Sequence, residues 1–193
     1  MKPLKGTKTE INLLTAFAGE SQARNRYDYF ASIAKKDGYE QISHIFQETA
    51  LQEKEHAKRL FKYLTAGHEV MISAGFPAGK MGSTLENLYA SAEGEKHEHE
   101  IMYPEFGVIA VQEGFQDIAE TFTAIAVAEK FHEERYRAFI RNIETDIVFR
   151  RPGQQIVWRC RNCGYVHHGP EAPDLCPACV HPRAYFEITC KNW

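Results

Sequence analysis

The 193-residue sequence has no cysteine before residue 160, no excess of basic residues and no long apolar run. No apolar stretch approaches the roughly 20 residues that a membrane-spanning helix needs. The opening residues, Met-Lys-Pro-Leu-Lys-Gly, lack the apolar core of a secretory signal peptide. A formal net charge of −3 argues against nucleic-acid binding. We therefore expect a cytoplasmic protein that binds neither membrane nor nucleic acid.

The five cysteines all lie after residue 159, and four of them form two C-x-x-C pairs, Cys160 with Cys163 and Cys176 with Cys179. In a chain without an export signal, this spacing indicates a tetrahedral four-thiolate metal site rather than a disulfide framework. The ion is zinc or a single iron, because zinc ribbons use nearly the same spacing. Cys190 is left over, and we assign it no role.

The first 149 residues are predicted to be almost entirely helical, because apolar residues recur at 3.6-residue spacing. Four helices are expected, over about residues 7–36, 39–66, 83–113 and 115–146. Thr7 and Ser83 each begin a capping box with the glutamate three residues later. Residues 67–82 contain four glycines and a proline, which suits a long crossover along a helical bundle.

Residues 150–153, Arg-Arg-Pro-Gly, are predicted to link this helical domain to a second domain at residues 154–193. The tail is rich in β-forming residues between glycine and proline turns. It is too short to be stable on an apolar core alone, so a bound metal would supply the missing stability. Trp158, Tyr165 and Phe186 are expected to pack around the metal site.

A Glu-x-x-His motif occurs twice in the helical domain, as Glu53 with His56 and as Glu129 with His132. Residues i and i+3 share one helix face, so each pair presents a carboxylate and an imidazole to one point. Both motifs continue the apolar stripe of their helix, which places them in the core. Two such helices, with one glutamate from each of two more, form the ligand set of a carboxylate-bridged two-metal site.

The first and third helices have glutamates on their inward faces, Glu20 in one and Glu95 with Glu98 in the other. Five buried carboxylates would repel one another strongly without cations. Two divalent ions offset this charge, and oxygen ligands with imidazole suit iron or manganese. Four neighbouring residues fall off the apolar stripe and are expected on a solvated face: Glu93, His97, His99 and Glu100.

Glu98 is surplus to the ligand set, because four glutamates and two histidines already complete it. A fifth carboxylate would let one metal exchange ligands as its charge changes. The net charge of the site would then stay constant, which avoids a large reorganisation energy in a low-dielectric core. The alternative treats each glutamate as part of an ordinary solvated helix face. The repetition of Glu-x-x-His on two apolar stripes argues against that alternative.

The chain resembles the rubrerythrin family in both halves. Segments similar to the diiron half are residues 20–27 (ESQARNRY), 52–57 (QEKEHA), 95–98 (EKHE), 102–104 (MYP) and 128–133 (AEKFHE). Segments similar to the rubredoxin-like tail are residues 160–165 (CRNCGY) and 175–179 (LCPAC). The resemblance implies a mainly α protein, with a ferritin-like four-helix bundle at residues 1–149 followed by a small β-rich, rubredoxin-like iron domain.

This resemblance also implies a function and roles for residues. It implies a cytoplasmic homodimer that reduces hydrogen peroxide in oxidative stress defence, with electrons from NAD(P)H through a separate reductase or rubredoxin. One iron would move between Glu98 and His56 as its oxidation state changes. Tyr27 and Tyr103 would hydrogen-bond ligand carboxylates. The bridging ligands would be Glu53 and Glu129. The terminal ligands would be Glu20, His56, Glu95, Glu98 and His132.

Two other functions share parts of this pattern. A ferritin-type ferroxidase or iron-handling protein has the same four-helix ligand set, but it forms a hollow shell and has no use for a four-cysteine electron donor. A regulatory protein would combine a nucleic-acid-binding zinc ribbon with a metal-sensing bundle. The net negative charge of the chain argues against the regulatory protein.

Overall fold

The computed structural model describes residues 3–191, in which five α-helices precede a small β-sheet. The helices are α1 (Lys8–Lys36), α2 (Glu40–Phe61), α3 (Thr84–His97), α4 (Tyr103–Glu113) and α5 (Gln116–Glu144). A π-helix, Glu98–Met102, joins α3 to α4, and the three together fill the place of the predicted third helix. The four-helix bundle is confirmed, but its third helix is interrupted. Every helix in this described part is too short or too polar to span a bilayer.

Local sequence signals set the helix ends. Ser83 and Glu86 form the predicted capping box of α3. At α1 the Thr7 hydroxyl accepts a hydrogen bond from the Glu10 backbone as predicted. The Glu10 carboxylate accepts its hydrogen bond from the Gly6 backbone at 2.7 Å, whereas a capping box would use the Thr7 backbone. α4 ends at Gly114, whose left-handed φ of 86° lets the chain turn directly into α5.

The crossover is longer than the sequence predicts. α2 ends at Phe61 rather than near residue 66, and residues 62–83 contain no helix or strand. This segment returns the chain along the bundle, so α3 begins beside the end of α1. There Asp37 accepts hydrogen bonds from the Thr84 backbone and hydroxyl, at 2.9 and 2.6 Å. The contact fixes the start of α3, which carries Glu95.

The core of the bundle consists of two apolar clusters with a polar layer between them. In α1, Leu13 and Ala16 belong to one cluster, Ala23 and Tyr27 belong to the other, and Glu20 lies between. α2 and α5 repeat this order, because their apolar stripes pass through Glu53 and Glu129 without changing face, and the buried residues of α3 and α4 belong to one cluster each. The predicted ligands therefore share one level of the bundle.

The tail is a three-stranded antiparallel sheet in the order β2-β1-β3. Its strands are β1 (Ile156–Cys160), β2 (Val166–Gly169) and β3 (Phe186–Ile188). Trp158 and Phe186 are buried in its core and Tyr165 packs against them, as predicted. The tail lies against the end of the bundle where α1 turns into α2, and there Tyr39 stacks on Phe149 with ring centroids 6.1 Å apart.

Candidate metal centres

Six of the seven predicted bundle ligands meet in the polar layer. Their ligand atoms form two groups in which every atom lies within 4.8 Å of the others. The two groups are Glu20, Glu53, His56 and Glu129, and Glu53, Glu95, Glu129 and His132. Glu53 and Glu129 belong to both, which is the arrangement expected of carboxylates that bridge two metals. One chain supplies all of these side chains.

The layer is almost closed to solvent, and many of its polar atoms lack hydrogen bonds. The four glutamates of the two groups are each at most 1% exposed. Within residues 3–191, six buried atoms of the layer have no hydrogen-bond partner: Glu20 Oε2, Glu53 Oε1, Glu95 Oε2, Glu129 Oε1 and Oε2, and His132 Nδ1. Buried acceptors without donors are costly. Oxygen and imidazole ligands aimed at common points therefore fit two metal ions, and they suit iron or manganese.

The carboxylates strongly perturb one another when no cation offsets them. Burial, together with the charge of Glu53, raises the pKa of Glu20 to about 7. Burial and the same neighbour raise the pKa of Glu95 well above its ordinary value. Burial alone would lower the pKa of His132, but the carboxylates of Glu129 and Glu53 outweigh it and raise that pKa to about 12. The metal-free site therefore holds protons that metal ions must displace.

Both ligand histidines face the layer through Nδ1. His56 Nδ1 lies 2.8 Å from Glu53 and 2.9 Å from Glu129. His132 Nδ1 lies 3.1 Å from Glu53 and 2.9 Å from Glu129, while its Nε2 lies 2.9 Å from Gln52 Oε1. Sequence reasoning gave Gln52 no role. Its exposed position on α2 has no distinguishing pattern, and its pairing with α5 depends on how the helices pack.

Two buried tyrosines hydrogen-bond terminal carboxylates. The Tyr27 hydroxyl donates to Glu95 Oε1 at 2.5 Å, and the Tyr103 hydroxyl donates to Glu20 Oε1. Both rings are 1% exposed. These are the contacts that the family resemblance implies. Each fixes one oxygen of its carboxylate and leaves the other, Oε2, directed at the site without a hydrogen bond from the described chain.

Glu98, the surplus carboxylate, lies in neither ligand group. It is the first residue of the π-helix, is half-buried, and lines a cavity of about 280 Å³ that also borders Gly19 and Phe76. Burial, with the charges of Glu20 and Glu95, raises the pKa of Glu98 well above its ordinary value. His56 rather than Glu98 therefore completes the first group in this structure.

The prediction that His99 lies on a solvated face is wrong. Its Nε2 lies 2.6 Å from Oε2 of Glu133, and Oε1 of the same carboxylate accepts a hydrogen bond from Arg137 at 2.5 Å. The π-helix inserts one extra residue into the turn, which rotates the following residues by about 100° relative to an unbroken 3.6-residue repeat. The other three residues of that prediction are exposed: Glu93, His97 and Glu100.

The four predicted cysteine ligands of the tail form the third group, with all sulfurs within 4.8 Å. Cys160 and Cys179 sulfurs are 3.8 Å apart, and those of Cys163 and Cys176 are 3.6 Å apart. A tetrahedral site with metal–sulfur bonds of about 2.3 Å requires sulfurs about 3.8 Å apart, so the group fits one ion. A hydrogen bond from the His181 backbone lowers the pKa of Cys179 to about 6, which favours the thiolate that a metal needs.

Comparisons with known proteins agree with both centres. Residues 12–140 match the family model of rubrerythrin, and residues 158–187 match that of the rubrerythrin rubredoxin-like domain. The chain is 61% identical to rubrerythrin of Nitratidesulfovibrio vulgaris over the full length of both proteins. It is 57% identical to rubrerythrin of Porphyromonas gingivalis, an alignment that covers all of this chain and 95% of that protein. A structure of partially reduced nigerythrin is similar, with a TM-score of 0.63, 34% identity, and coverage of 97% of this chain and 89% of the other. The chain therefore belongs to the rubrerythrin family.

Proposed function

We propose that this protein is a peroxidase that reduces hydrogen peroxide to water, with electrons delivered through its own four-cysteine iron centre. Its family makes it an oxidoreductase with a ferritin-like diiron site and a rubredoxin-like iron site. One observation supports the finer assignment most strongly. The two ligand groups share Glu53 and Glu129, and a surplus carboxylate, Glu98, stands at a cavity beside them.

The residues of the bundle have distinct proposed roles. Glu53 and Glu129 would hold both irons, while Glu95 and His132 would hold one iron and Glu20 and His56 the other. When bound, the two irons supply the two electrons that split the O–O bond of the peroxide. Tyr27 and Tyr103 keep terminal carboxylates in position through their hydrogen bonds.

Glu98 and His56 are the proposed alternative ligands of one iron. His56 is the more exposed of the two ligand imidazoles, with a side chain 18% exposed against 4% for His132. Glu98 would bind this iron as a carboxylate, so its side chain would be deprotonated whenever it serves as the ligand.

The arrangement of the two domains bears on how electrons reach the bundle. The tail lies at the start of α2. Glu40, the first residue of that helix, is about 20 Å from the ligand Glu53 along the helix axis, at 1.5 Å per residue. We propose a cytoplasmic homodimer in which the tail of one copy serves the bundle of the other. NAD(P)H would supply electrons through a separate reductase or rubredoxin that docks at the exposed Cys163 edge of the tail.

Anaerobic consumption of hydrogen peroxide by the iron-loaded protein with a chemical reductant tests this function. We expect catalytic turnover that Glu129→Ala abolishes, because this variant removes a bridging carboxylate. Glu134→Ala is a suitable control, since Glu134 is an exposed residue of the same helix. Turnover that is no faster than with free iron would contradict the proposal.

The alternative function is a ferritin-type ferroxidase. The bundle ligands support it as well as they support a peroxidase, but the four-cysteine group gives it no advantage. Gel filtration distinguishes the two, because a storage protein requires a large hollow shell. Elution as a dimer of 193-residue chains would favour the peroxidase.

A further inference from the structure

Two glycines lie within helices directly before a ligand glutamate. Gly19 precedes Glu20 in α1, and Gly94 precedes Glu95 in α3. Neither has the positive φ that favours glycine. Glycine in a helix interior is less stable than alanine. Backbone conformation therefore does not explain why glycine occupies these two positions.

Close packing does not explain these glycines either. A Cβ atom added to Gly19 would meet only Cε1 of Phe76, at an ordinary contact distance of 3.8 Å. A Cβ atom added to Gly94 would meet nothing within 4 Å. Alanine would fit at both positions and would favour the helix.

What the two glycines share is a cavity. Both line the space of about 280 Å³ that reaches Glu98, between α1, the end of α3 and residues 74–77 of the crossover. Phe76, which is 42% exposed, forms part of the outer wall. The missing side chains leave this space wider along the α1 and α3 walls that it shares with Glu98.

The lining of the cavity is mainly apolar but includes a few polar side chains. Gln22, Arg26 and His97 contribute hydrogen-bonding groups to it. The Nε atom of Arg26 is buried, and no residue within the described range 3–191 hydrogen-bonds it. A few polar groups in an otherwise apolar passage would let a small molecule such as hydrogen peroxide pass through it.

We infer that this cavity is the route by which peroxide reaches Glu98, that Gly19 and Gly94 keep it open, and that Phe76 determines specificity by excluding bulky alkyl peroxides. The inference rests on the proposed peroxidase function. The aromatic ring lies over α1 at Gly19, so it narrows the outer part of the cavity. Hydrogen peroxide is small enough to pass the Phe76 ring, whereas a branched alkyl group would collide with that ring.

Glycine variants of the iron-loaded protein test the route. Gly19→Ala and Gly94→Ala are compared with Gly107→Ala, because Gly107 is a helical glycine outside this cavity where a Cβ would meet only a backbone oxygen at 3.8 Å. All three should raise the melting temperature by about 2 °C. Only the first two should slow the binding of azide to the oxidised site, measured by stopped-flow absorbance. Gly94→Leu should slow it further, by about tenfold.

Phe76→Ala tests the specificity. The ratio of kcat/KM for tert-butyl hydroperoxide to that for hydrogen peroxide should rise about tenfold. Met71→Ala is the control, because Met71 belongs to the same crossover but is 89% exposed; its ratio should equal that of the unaltered protein.

Two results would overturn the inference: azide rates in Gly19→Ala and Gly94→Leu equal to that of Gly107→Ala, or an unchanged ratio in Phe76→Ala. Failure of the proposed function gives a different outcome. The unaltered protein would then consume no peroxide, while the azide rates would still show whether the cavity leads to the site.

Discussion

His132 Nε2 lies 2.9 Å from Gln52 Oε1, whereas no residue among 3–191 hydrogen-bonds Nε2 of His56. Because an amide oxygen accepts, His132 donates a hydrogen bond from Nε2, so Nδ1 is the nitrogen that would bind metal after losing its proton. Gln52 therefore holds the Nε2 side of the His132 imidazole, whereas in the described part of the chain the His56 imidazole is held only through Nδ1. This difference agrees with the proposal that His56, and not His132, is exchanged for Glu98.

Replacing Gln52 should weaken one of the two bundle metals selectively. We expect Gln52→Leu to lower the affinity of the His132 side of the site by about 10–100-fold, because an orienting hydrogen bond is lost. Competition with a chromophoric chelator would resolve the two binding steps. Gln47→Leu, at an exposed position of the same helix, serves as the control. Equal weakening of both steps would show that Gln52 acts only on general stability.

Removing the surplus carboxylate should separate turnover from metal binding. Glu98→Ala should lower peroxide turnover more than it lowers iron content, because the six residues of the two ligand groups remain. Glu100→Ala is a matched control, since Glu100 is an exposed residue of the same π-helix. Iron content and peroxide consumption are measured on the same samples. Equal loss of both in Glu98→Ala would contradict a switching role.

Much of the site could be predicted because the helical repeat continues unbroken through Glu20, Glu53 and Glu129. A residue at a core position of such a repeat is buried wherever the bundle forms. The surroundings of His99 could not be predicted, because a π-helix has no recognisable sequence signal and shifts every later face. The same limit applies to Gln52, whose partner is chosen by helix packing.

Removal of iron should make the stability of the protein depend on pH. The Glu20 pKa rises from 4.5 to about 7 on folding, so between these values the folded metal-free chain binds more protons than the unfolded chain. Its stability therefore falls as pH rises through that window. The raised pKa of His132 acts in the same direction above its ordinary value of 6.5.

Melting temperatures measured between about pH 5 and pH 8 would check this dependence. The metal-free protein should melt at lower temperature as pH rises. The iron-loaded protein should not show this fall, because the metals replace the protons. A metal-free protein whose melting temperature increases across this range would show that the ligand carboxylates are not the groups that titrate.

Mixed dimers would show whether electrons cross between two copies. Cys163→Ser removes a tail ligand and Glu129→Ala removes a bundle ligand, so each variant alone should be inactive in reductant-dependent turnover. Chains unfolded together and reassembled should recover roughly a quarter of normal activity, since half the dimers are mixed and each has one working pair. The same chains reassembled separately and then combined are the control. No recovery in the mixture would place electron transfer within one chain.

We propose that the bundle and the tail form one peroxide-reducing unit. Anaerobic reduction of every iron, followed by rapid mixing with hydrogen peroxide in excess, tests this unit as a whole. We expect fast reoxidation of the bundle iron and then of the tail iron, seen as the return of thiolate-to-iron absorption. A tail that stays reduced while the bundle is oxidised, or a bundle that does not react, would contradict it.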